Sequence, residues 1–226
     1  RILRTLQDIY RYFTFRYSQY RGVYEDFYQA KLAVPRGRKI GYNHEDLARD
    51  YKTAHKLTLD SSDYRVLFHL DRMLQERSIV LDFGGNTGVH YLRYRPYLKF
   101  HSVKWIVCDV PEITKVGRET CAGIPTISFI DDIAEFRESR LDIFHASESL
   151  QYVARLDLLL QKLIDKGIRP SHILVDQMPL YDGRQIVTLQ NGGLVYFPQF
   201  VFNREESLGA IAILGYEIVD SWSINS

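Results

Sequence analysis

An apolar run that leads directly into a glycine-rich turn places the tightest limit on how this 226-residue chain folds. Val80–Phe83 is typical of the end of a strand, and a helical pattern begins after Gly88. Glycines in such a turn let the backbone approach a ligand closely. A carboxylate above the turn would meet backbone amides and the positive end of the helix dipole. The segment therefore predicts a ligand site, with candidate binding residues Asp82, Gly84, Gly85, Asn86 and Gly88.

Short apolar runs alternate with helical stretches after this turn and predict the fold class. The predicted strands are Ile79–Phe83, Trp105–Cys108, Thr126–Ile130, Ile143–Ala146 and Ile173–Val175. Strands that alternate with helices build βαβ units and a parallel sheet. We therefore predict an α/β fold with a Rossmann-like, doubly wound, mostly parallel sheet.

The region after the fourth strand carries three further signals. An apolar stripe from Leu150 to Ile164 predicts a helix that Gly167 ends. Asn191-Gly192-Gly193 lies between strand-like runs and predicts a β-hairpin over about residues 185–197, which we expect to cover one edge of the site. Asn203 has the spacing of a helix cap, and Tyr216–Trp222 is predicted as a last strand.

The amino-terminal part differs from the rest in charge and in aromatic content. Residues 1–40 hold nine Lys or Arg against three Asp or Glu, while the whole chain has a net charge of only +1. Nine aromatic residues lie between Tyr10 and Tyr28. We predict a helical, aromatic-rich cap over residues 1–60 and a main domain over 61–226 with the hairpin inserted. The aromatic face either packs on the main domain, which we favour, or contacts a membrane surface or a partner enzyme.

Cysteine content and hydropathy predict the compartment. Cys108 and Cys121 are the two cysteines, and their spacing supports neither a disulfide framework nor a zinc site. No apolar run approaches the roughly 18 residues that a membrane-spanning helix needs. We expect a cytoplasmic protein, with residues 1–40 as the part that would contact the inner face of a membrane. The nearly balanced charge gives no reason to expect a nucleic-acid partner.

Acidic residues at three strand ends predict the kind of ligand. Asp82 would repel a pyrophosphate but attract an ammonium group. Asp109 closes the second strand, where a carboxylate can accept hydrogen bonds from two ribose hydroxyls. Asp131 and Asp132 follow the third strand, where an adenine amino group would lie. Together these positions favour a nucleoside that carries an amino acid over a dinucleotide.

Residues 60–222 resemble the class I S-adenosylmethionine-dependent methyltransferases, most clearly through Asp82–Gly88, although Asn86 stands where the family pattern D-x-G-x-G-x-G has its middle glycine. The segments Asp109–Glu112 and Leu141–Val153 also resemble that family. The resemblance implies S-adenosylmethionine as the cofactor, with Val110 and Ser147 as further binding residues. Some relatives bind a metal in the second segment, but Gln151 and Tyr152 replace two of those ligands, so we expect no metal.

Motifs elsewhere resemble methyltransferases of bacterial cell-surface polysaccharide gene clusters. They are Gly22-Val23-Tyr24, Gly41-Tyr42, Asp176-Gln177-Met178-Pro179, Thr188-Leu189-Gln190 and Tyr196-Phe197-Pro198. This resemblance spans nearly the whole chain and implies a small-molecule or glycan acceptor.

Three residues at strand ends are candidate catalytic groups, because strand ends border the ligand crevice of open α/β sheets. They are Glu148, His145 and Asp176. Each also has a structural interpretation: Glu148 can stabilise a helix start, His145 can lie in the packed layer, and Asp176 can bond to the next turn. The candidate acceptor-binding residues are Tyr152, Gln190 and Tyr196.

Three functions remain open from the sequence. The first is O-methylation of a sugar or glycan precursor by an S-adenosylmethionine-dependent enzyme. The second is a nicotinamide-dependent oxidoreductase, which uses the same strand, glycine turn and helix. The third is a noncatalytic nucleoside-binding module that docks on a membrane or a partner enzyme.

Overall fold

The structure is a computed structural model that describes residues 19–54, 57–99, 101–153 and 155–223. These residues form two compact units. The smaller unit contains described residues of the ranges 1–42, 151–154 and 179–210, and the larger unit contains those of 43–150, 155–178 and 211–226.

Strands and helices alternate along the described chain. The strands are β1 (Gln19–Tyr24), β2 (Lys39–Ile40), β3 (Ile79–Phe83), β4 (Lys104–Cys108), β5 (Ile127–Ile130), β6 (Ile143–Ser147), β7 (His172–Asp176), β8 (Leu180–Tyr181), β9 (Ile186–Asn191) and β10 (Val195–Asn203). The helices are α1 (Phe27–Leu32), α2 (Glu45–Ala54), α3 (Asp63–Met73), α4 (Val89–Tyr94), α5 (Pro111–Thr120), α6 (Leu156–Ile164) and α7 (Arg204–Ile213). Single 3-10 turns lie at Arg95–Tyr97, Ile133–Glu135 and Leu150–Tyr152.

The larger unit is built on a parallel sheet. Among its described residues, five strands lie in the order β5-β4-β3-β6-β7, and each neighbouring pair is parallel. The chain adds β4 and β5 on one side of β3 and then β6 and β7 on the other. The strand order therefore reverses beside β3, which is where open α/β sheets bind ligands. The predicted Rossmann-like, doubly wound sheet is confirmed.

The strands of this sheet were recognisable because both of their faces are covered. Val80 and Leu81 in β3 and Trp105 in β4 are fully buried. Strands with two covered faces have continuous apolar runs, so the run itself marks the strand. The apolar stripe that predicted α6 is the buried face of this helix, since Leu160 and Leu163 are buried. Gly167 follows the helix with a positive φ of 76°.

The smaller unit holds a mixed sheet. Its described strands lie in the order β1-β9-β10-β2, and β8 also pairs with β10. Strands β9 and β10 form the predicted hairpin, in which Asn191 Oδ1 accepts a hydrogen bond of 2.9 Å from the Gly193 amide. Strand β10 continues beyond the predicted end at Phe197, because residues 198–201 pair with β9 and its last two residues pair with β8.

One predicted element is absent and another is shorter than predicted. Tyr216–Trp222 is not a strand, because side chains fix this segment: Tyr216 Oη donates to the carbonyl of Pro170 at 2.9 Å, and Trp222 Nε1 donates to Asp176 at 3.0 Å. The helix predicted from Leu150 begins at Leu156, because Arg155 has extended backbone with φ −156°.

The units also differ from the predicted division at residue 60. The described residues from 43 to 60 group with the larger unit, where Ala48 of α2 packs against Ile113 and Val116 of α5. The described residues 19–42 contribute β1, α1 and β2, so they are not mainly helical. They join the smaller unit because β1 pairs with β9, which lies far along the chain.

The aromatic segment is partly buried and partly exposed in its described portion. Tyr24 packs with Leu189 and Tyr196, while Tyr20 and Tyr28 are 55% and 69% exposed. Residues 1–18 lie outside the described residues, so membrane contact through residues 1–40 stays a prediction. Among the described residues, no helix has the length and hydropathy that a membrane span requires.

We predict that Leu160→Ala lowers the free energy of unfolding by about 2–5 kcal/mol, because it leaves a cavity at a fully buried position. The control is Leu158→Ala on the same helix, where the side chain is 53% exposed and the change is expected to be within about 0.5 kcal/mol. Urea unfolding followed by circular dichroism measures both. Equal losses would contradict the position of α6.

Candidate functional site

The carboxyl ends of the parallel strands gather polar side chains at one edge of the sheet in the larger unit. Three of the four non-glycine residues with positive φ in the described chain lie at this edge: Asn86, Glu148 and Gln177, with φ of 56°, 48° and 54°. Such backbone conformations cost energy and concentrate at binding and catalytic sites. This edge is therefore the candidate functional site.

Asp82 is the centre of a buried polar cluster below this edge. Its side chain is fully buried and accepts hydrogen bonds from three rings. His145 Nδ1 lies 2.8 Å from Oδ1, Trp105 Nε1 lies 3.0 Å from Oδ2, and His90 Nδ1 lies 3.1 and 3.2 Å from the two oxygens. The carboxylate thus joins β3 to β4, β6 and α4.

Electrostatics keeps this carboxylate ionised. Burial by itself would raise the pKa of Asp82, but His90 and His145 outweigh burial and hold that pKa well below its ordinary value. Burial opposes a charge on His90 as well, yet Asp82 raises the pKa of His90 above its ordinary value. The cluster therefore favours an ion pair between Asp82 and His90 inside the protein.

The turn after β3 satisfies its own backbone amides. The amides of Gly84 and Gly88 donate to the carbonyls of Cys108 and Gly85, at 2.8 and 3.1 Å. The amide of Asn86 donates to Asp109 Oδ2 at 2.9 Å, and that of Thr87 donates to Asn86 Oδ1 at 2.7 Å. The expectation that these amides await an anionic ligand is therefore wrong for four positions of the turn.

Glycine is required in this turn by contacts within the protein. A Cβ atom on Gly84 would lie 2.2 Å from Cβ of Ser149, and one on Gly85 would lie 2.5 Å from Oδ2 of Asp82. Ser149 Oγ in turn donates to the carbonyl of Phe83 at 2.7 Å. The turn is thus closed tightly onto β3 and onto the segment after β6.

Asp109 lies beside the turn at the end of β4. Its two oxygens accept hydrogen bonds from the amides of Asn86 and Val110, at 2.9 and 2.7 Å. Burial raises the pKa of Asp109 to about 6, against the effect of these two hydrogen bonds. Val110 itself packs with Ile113 and Val116, so its side chain belongs to an apolar cluster.

The two carboxylates after β5 have local partners. Asp131 Oδ1 accepts from Arg118 Nη2 at 2.7 Å and from Thr114 Oγ1. Asp132 caps the 3-10 turn at Ile133 by accepting from the Ala134 amide at 2.7 Å. Their binding to an adenine amino group stays a prediction.

The ends of β6 and β7 hold the other candidates. Glu148 is exposed, and its amide donates to the carbonyl of Asp176 at 3.2 Å. The pKa of Glu148 is raised, mainly because neighbouring protein atoms remove water from the carboxylate and also because Asp176 repels its charge. His90 and Arg93 act to lower this pKa. Asp176 is 4% exposed and accepts from Trp222. Glu148 is therefore the more accessible carboxylate, and Ser147 before it is buried.

The structure corrects two predicted roles. Asp82 was expected to attract an ammonium group, but it is fully enclosed and its oxygens already accept from three rings. His145 was a candidate catalytic group, but it is fully buried in the packed layer, as its structural interpretation has it, because alternation along β6 turns it toward Asp82. Sequence reasoning also missed His90, eight positions after Asp82, whose placement on the first turn of α4 was the available signal.

The candidate acceptor residues lie in the smaller unit. Tyr152 Oη donates to Gln190 Oε1 at 3.3 Å, and Gln190 Nε2 donates to Tyr20 Oη at 3.2 Å. Tyr42 contacts the Tyr152 ring edge-on, with 4.8 Å between centroids. Tyr196 is only 1% exposed and belongs to the core of this unit, so its candidate role in binding the acceptor is corrected.

A surface cavity of about 280 Å³ lies at the opposite edge of the larger unit's sheet. Its lining includes Val103 and Thr126, which precede β4 and β5. This is the amino edge of the sheet, where open α/β folds do not place their ligand crevice. We therefore retain the carboxyl edge as the candidate site.

Comparison with family models and with curated proteins finds no match. Among solved structures, Escherichia coli YjhP is 13% identical with a TM-score of 0.47, over 78% of this chain and 72% of that one. An S-adenosylmethionine-dependent methyltransferase from Aquifex aeolicus is 16% identical with a TM-score of 0.43, over 53% and 65%. Haemonchus contortus phosphoethanolamine N-methyltransferase 2, in complex with S-adenosyl-L-methionine, is 12% identical with a TM-score of 0.45, over 63% and 36%. The chain spans less than two thirds of the latter two structures, and its function has to be inferred from its own residues.

We predict that Asp82→Asn lowers the free energy of unfolding by about 3 kcal/mol near pH 6, because it leaves buried imidazoles without an anion. Because the pKa of Asp82 is lowered in the folded protein, its charge contributes stability above pH 3.8, the ordinary pKa of the group. Because the pKa of His90 is raised, its charge contributes stability below pH 6.5, and this contribution is lost as the pH rises through the raised pKa. The loss is therefore expected to be largest between these values and smaller at pH 9.

The matched control is Asp220→Asn, which removes a half-exposed carboxylate that lies 2.9 Å from His69. We expect it to change stability by no more than about 1 kcal/mol. Denaturant unfolding across pH measures both variants. A loss for Asp82→Asn that grows steadily up to pH 9 would contradict the assigned charges.

Proposed function

We propose that this chain is an S-adenosylmethionine-dependent methyltransferase. The observation that carries the proposal is the pairing of a closed glycine turn with Asp109 at the end of the next strand. The amides of the turn donate to acceptors within the protein. The Asp109 carboxylate lies at the end of β4, next to the strand beside which the order reverses, where it would bind a ribose without a phosphate cradle.

The residues at this edge fit a nucleoside. An ionised carboxylate offers about four lone-pair positions. The amides of Asn86 and Val110 use two of them on Asp109, so two remain for ribose hydroxyls. Asp131 and Asp132 at the next strand end add acceptors for an exocyclic amino group. These contacts would orient the nucleoside along the strand ends.

The same geometry disfavours the nicotinamide-dependent alternative. A dinucleotide needs a turn whose backbone amides point at the pyrophosphate. Here the amides of Gly84, Asn86, Thr87 and Gly88 already donate to protein acceptors. Asp82 adds a buried negative charge directly beneath the turn. A pyrophosphate would therefore lose its usual hydrogen bonds and meet a repulsive charge.

The cofactor supplies an electrophilic methyl group on a sulfonium. The protein's task in such a displacement is to align the acceptor with that group and to remove the acceptor's proton. Glu148 is an exposed carboxylate at this edge, and its backbone has a positive φ of 48°, a strained conformation that is frequent at functional sites. We assign it to orientation of the acceptor.

We further propose a hydroxyl of a sugar or glycan precursor as the acceptor, in cell-surface polysaccharide synthesis. The resemblance of the polysaccharide-associated motifs supports this substrate class. In the smaller unit, the chain of hydrogen bonds through Tyr152, Gln190 and Tyr20 combines an amide with phenol groups, which suits a ligand that offers both apolar ring faces and hydroxyls.

Calorimetric titration tests the cofactor. We expect saturable binding of S-adenosylmethionine and of its demethylated product, and no binding of NADH at the same concentrations. The amino-edge cavity provides the control, since Arg95→Ala at its lining is expected to leave the affinity unchanged. Binding of NADH alone, or no binding of the two sulfur compounds by folded protein, would overturn the proposal.

The raised pKa of Asp109 makes cofactor affinity depend on pH. The ionised carboxylate accepts from ribose hydroxyls, so protonation below about pH 6 is expected to weaken binding. Asp109→Asn is expected to bind roughly tenfold more weakly at pH 7.5, by loss of charged hydrogen bonds, and to lose most of this pH dependence. Calorimetry from pH 5 to 8 measures it.

Asp71→Asn is the control for this change, because Asp71 pairs with Lys99 at the surface, away from the strand ends. It is expected to keep the wild-type affinity and pH profile. Unchanged affinity in Asp109→Asn would show that the ribose lies elsewhere.

A further inference from the structure

We propose that His90 is the general base of this enzyme, with Asp82 as the residue that orients it. This inference rests on the proposed function and deepens it, because it names the group that takes the acceptor's proton and implies a hydroxyl acceptor.

The tautomer of His90 follows from its partner. An ionised carboxylate can only accept hydrogen bonds, and both Asp82 oxygens lie within 3.2 Å of His90 Nδ1. Nδ1 therefore carries the proton, and in the neutral ring Nε2 holds the lone pair. A base held in this way by a buried carboxylate is the arrangement used for activating hydroxyl groups.

The position of Nε2 distinguishes the two histidines. Nε2 of His145 is buried and has no hydrogen-bond partner among the described residues. The His90 side chain is 13% exposed, its described hydrogen bonds all use Nδ1, and its Nε2 is not among the enclosed unpartnered atoms. His90 is thus the histidine of the cluster that can meet a substrate.

The rest of the cluster holds the orienting carboxylate still. Trp105 and His145 donate to Asp82 from the two strands that flank β3. Tyr94, one turn further along α4, stacks on the His90 ring with 6.0 Å between centroids. These contacts restrict rotation of both partners, so Nε2 is presented in one direction.

The charged groups around His90 favour its acceptance of a proton. Asp82 and Asp63 act to raise the pKa of His90, while Arg93 and burial act to lower it. Glu148 lies within electrostatic reach, since His90 lowers the pKa of Glu148. An imidazolium formed during the reaction would therefore be stabilised by Asp82, which it contacts, and by the charge of Glu148.

The step balances without another reactant. The hydroxyl oxygen forms a bond to the methyl carbon, the carbon–sulfur bond breaks with its electron pair going to sulfur, and the hydroxyl proton goes to Nε2 of His90. The imidazolium then releases this proton to water. An amine acceptor that is already neutral can react without such a base, so the dyad indicates an oxygen nucleophile.

The cluster also has the side-chain types of a metal site, with ligand atoms within 4.8 Å of one another. The closest contacts, however, are hydrogen-bond distances between Asp82 and the two Nδ1 atoms, and Trp105 occupies the other oxygen. A zinc ion needs its ligands about 2.0–2.2 Å from a common centre. The geometry favours the hydrogen-bonded dyad.

The test compares His90→Gln with the wild type and with His101→Gln, an exposed histidine at the other edge of the sheet. Methyl transfer from labelled S-adenosylmethionine is measured with a bacterial metabolite extract as the acceptor pool, and cofactor affinity is measured by calorimetry. We expect His90→Gln to lose at least about 100-fold in rate with cofactor affinity within threefold of the wild type. His101→Gln should keep both.

Two further readouts separate catalysis from structure. The wild-type rate should rise with pH through the pKa of His90, and Asp82→Asn should move this limb to lower pH. Nitrogen-15 NMR of the histidine side chains should show that the neutral ring of His90 carries its proton on Nδ1.

A His90→Gln rate within threefold of the wild type, or a proton on Nε2, would overturn the inference and leave the proposed function standing. Failure of the wild-type protein to bind S-adenosylmethionine, or to label any component of the extract, would overturn both.

Discussion

The candidate site depends on the hydrogen bonds that the buried carboxylate of Asp82 accepts. A charge removed from water is costly unless it is paired and fully hydrogen-bonded. Three ring N–H groups, on β4, β6 and α4, supply that compensation. The same contacts fix the end of β3 and the start of α4, between which the glycine turn lies. Gly85 has to be glycine because this carboxylate occupies the space of its side chain.

The turn and the strand ends consequently have different roles in the proposed site. The turn is closed on itself and on Ser149, and in the proposed function the carboxylates at the strand ends bind the ligand. Asp109 is the clearest example, because burial raises its pKa to about 6 while two amides hold it beside the turn. The proposed cofactor fits this arrangement because it offers hydroxyl and amino groups to carboxylates and carries no phosphate.

The sequence predicted those elements whose signal is local. The bounds of β3 match residue for residue, because both faces of the strand are covered and its apolar run is continuous. The hairpin was predictable because Asn191-Gly192-Gly193 has its own turn preference. Pairing between distant segments was not predictable. Asp82 meets His145 through the register of β3 and β6, and the smaller unit exists because β1 pairs with β9.

A crystal structure with S-adenosylhomocysteine bound is the most direct test of this account. We expect the ribose hydroxyls within hydrogen-bond distance of Asp109, at the carboxyl edge of the sheet, with Asp82 still enclosed by its three ring partners. A nucleoside bound at the amino edge, or a ligand ammonium in direct contact with Asp82, would contradict it.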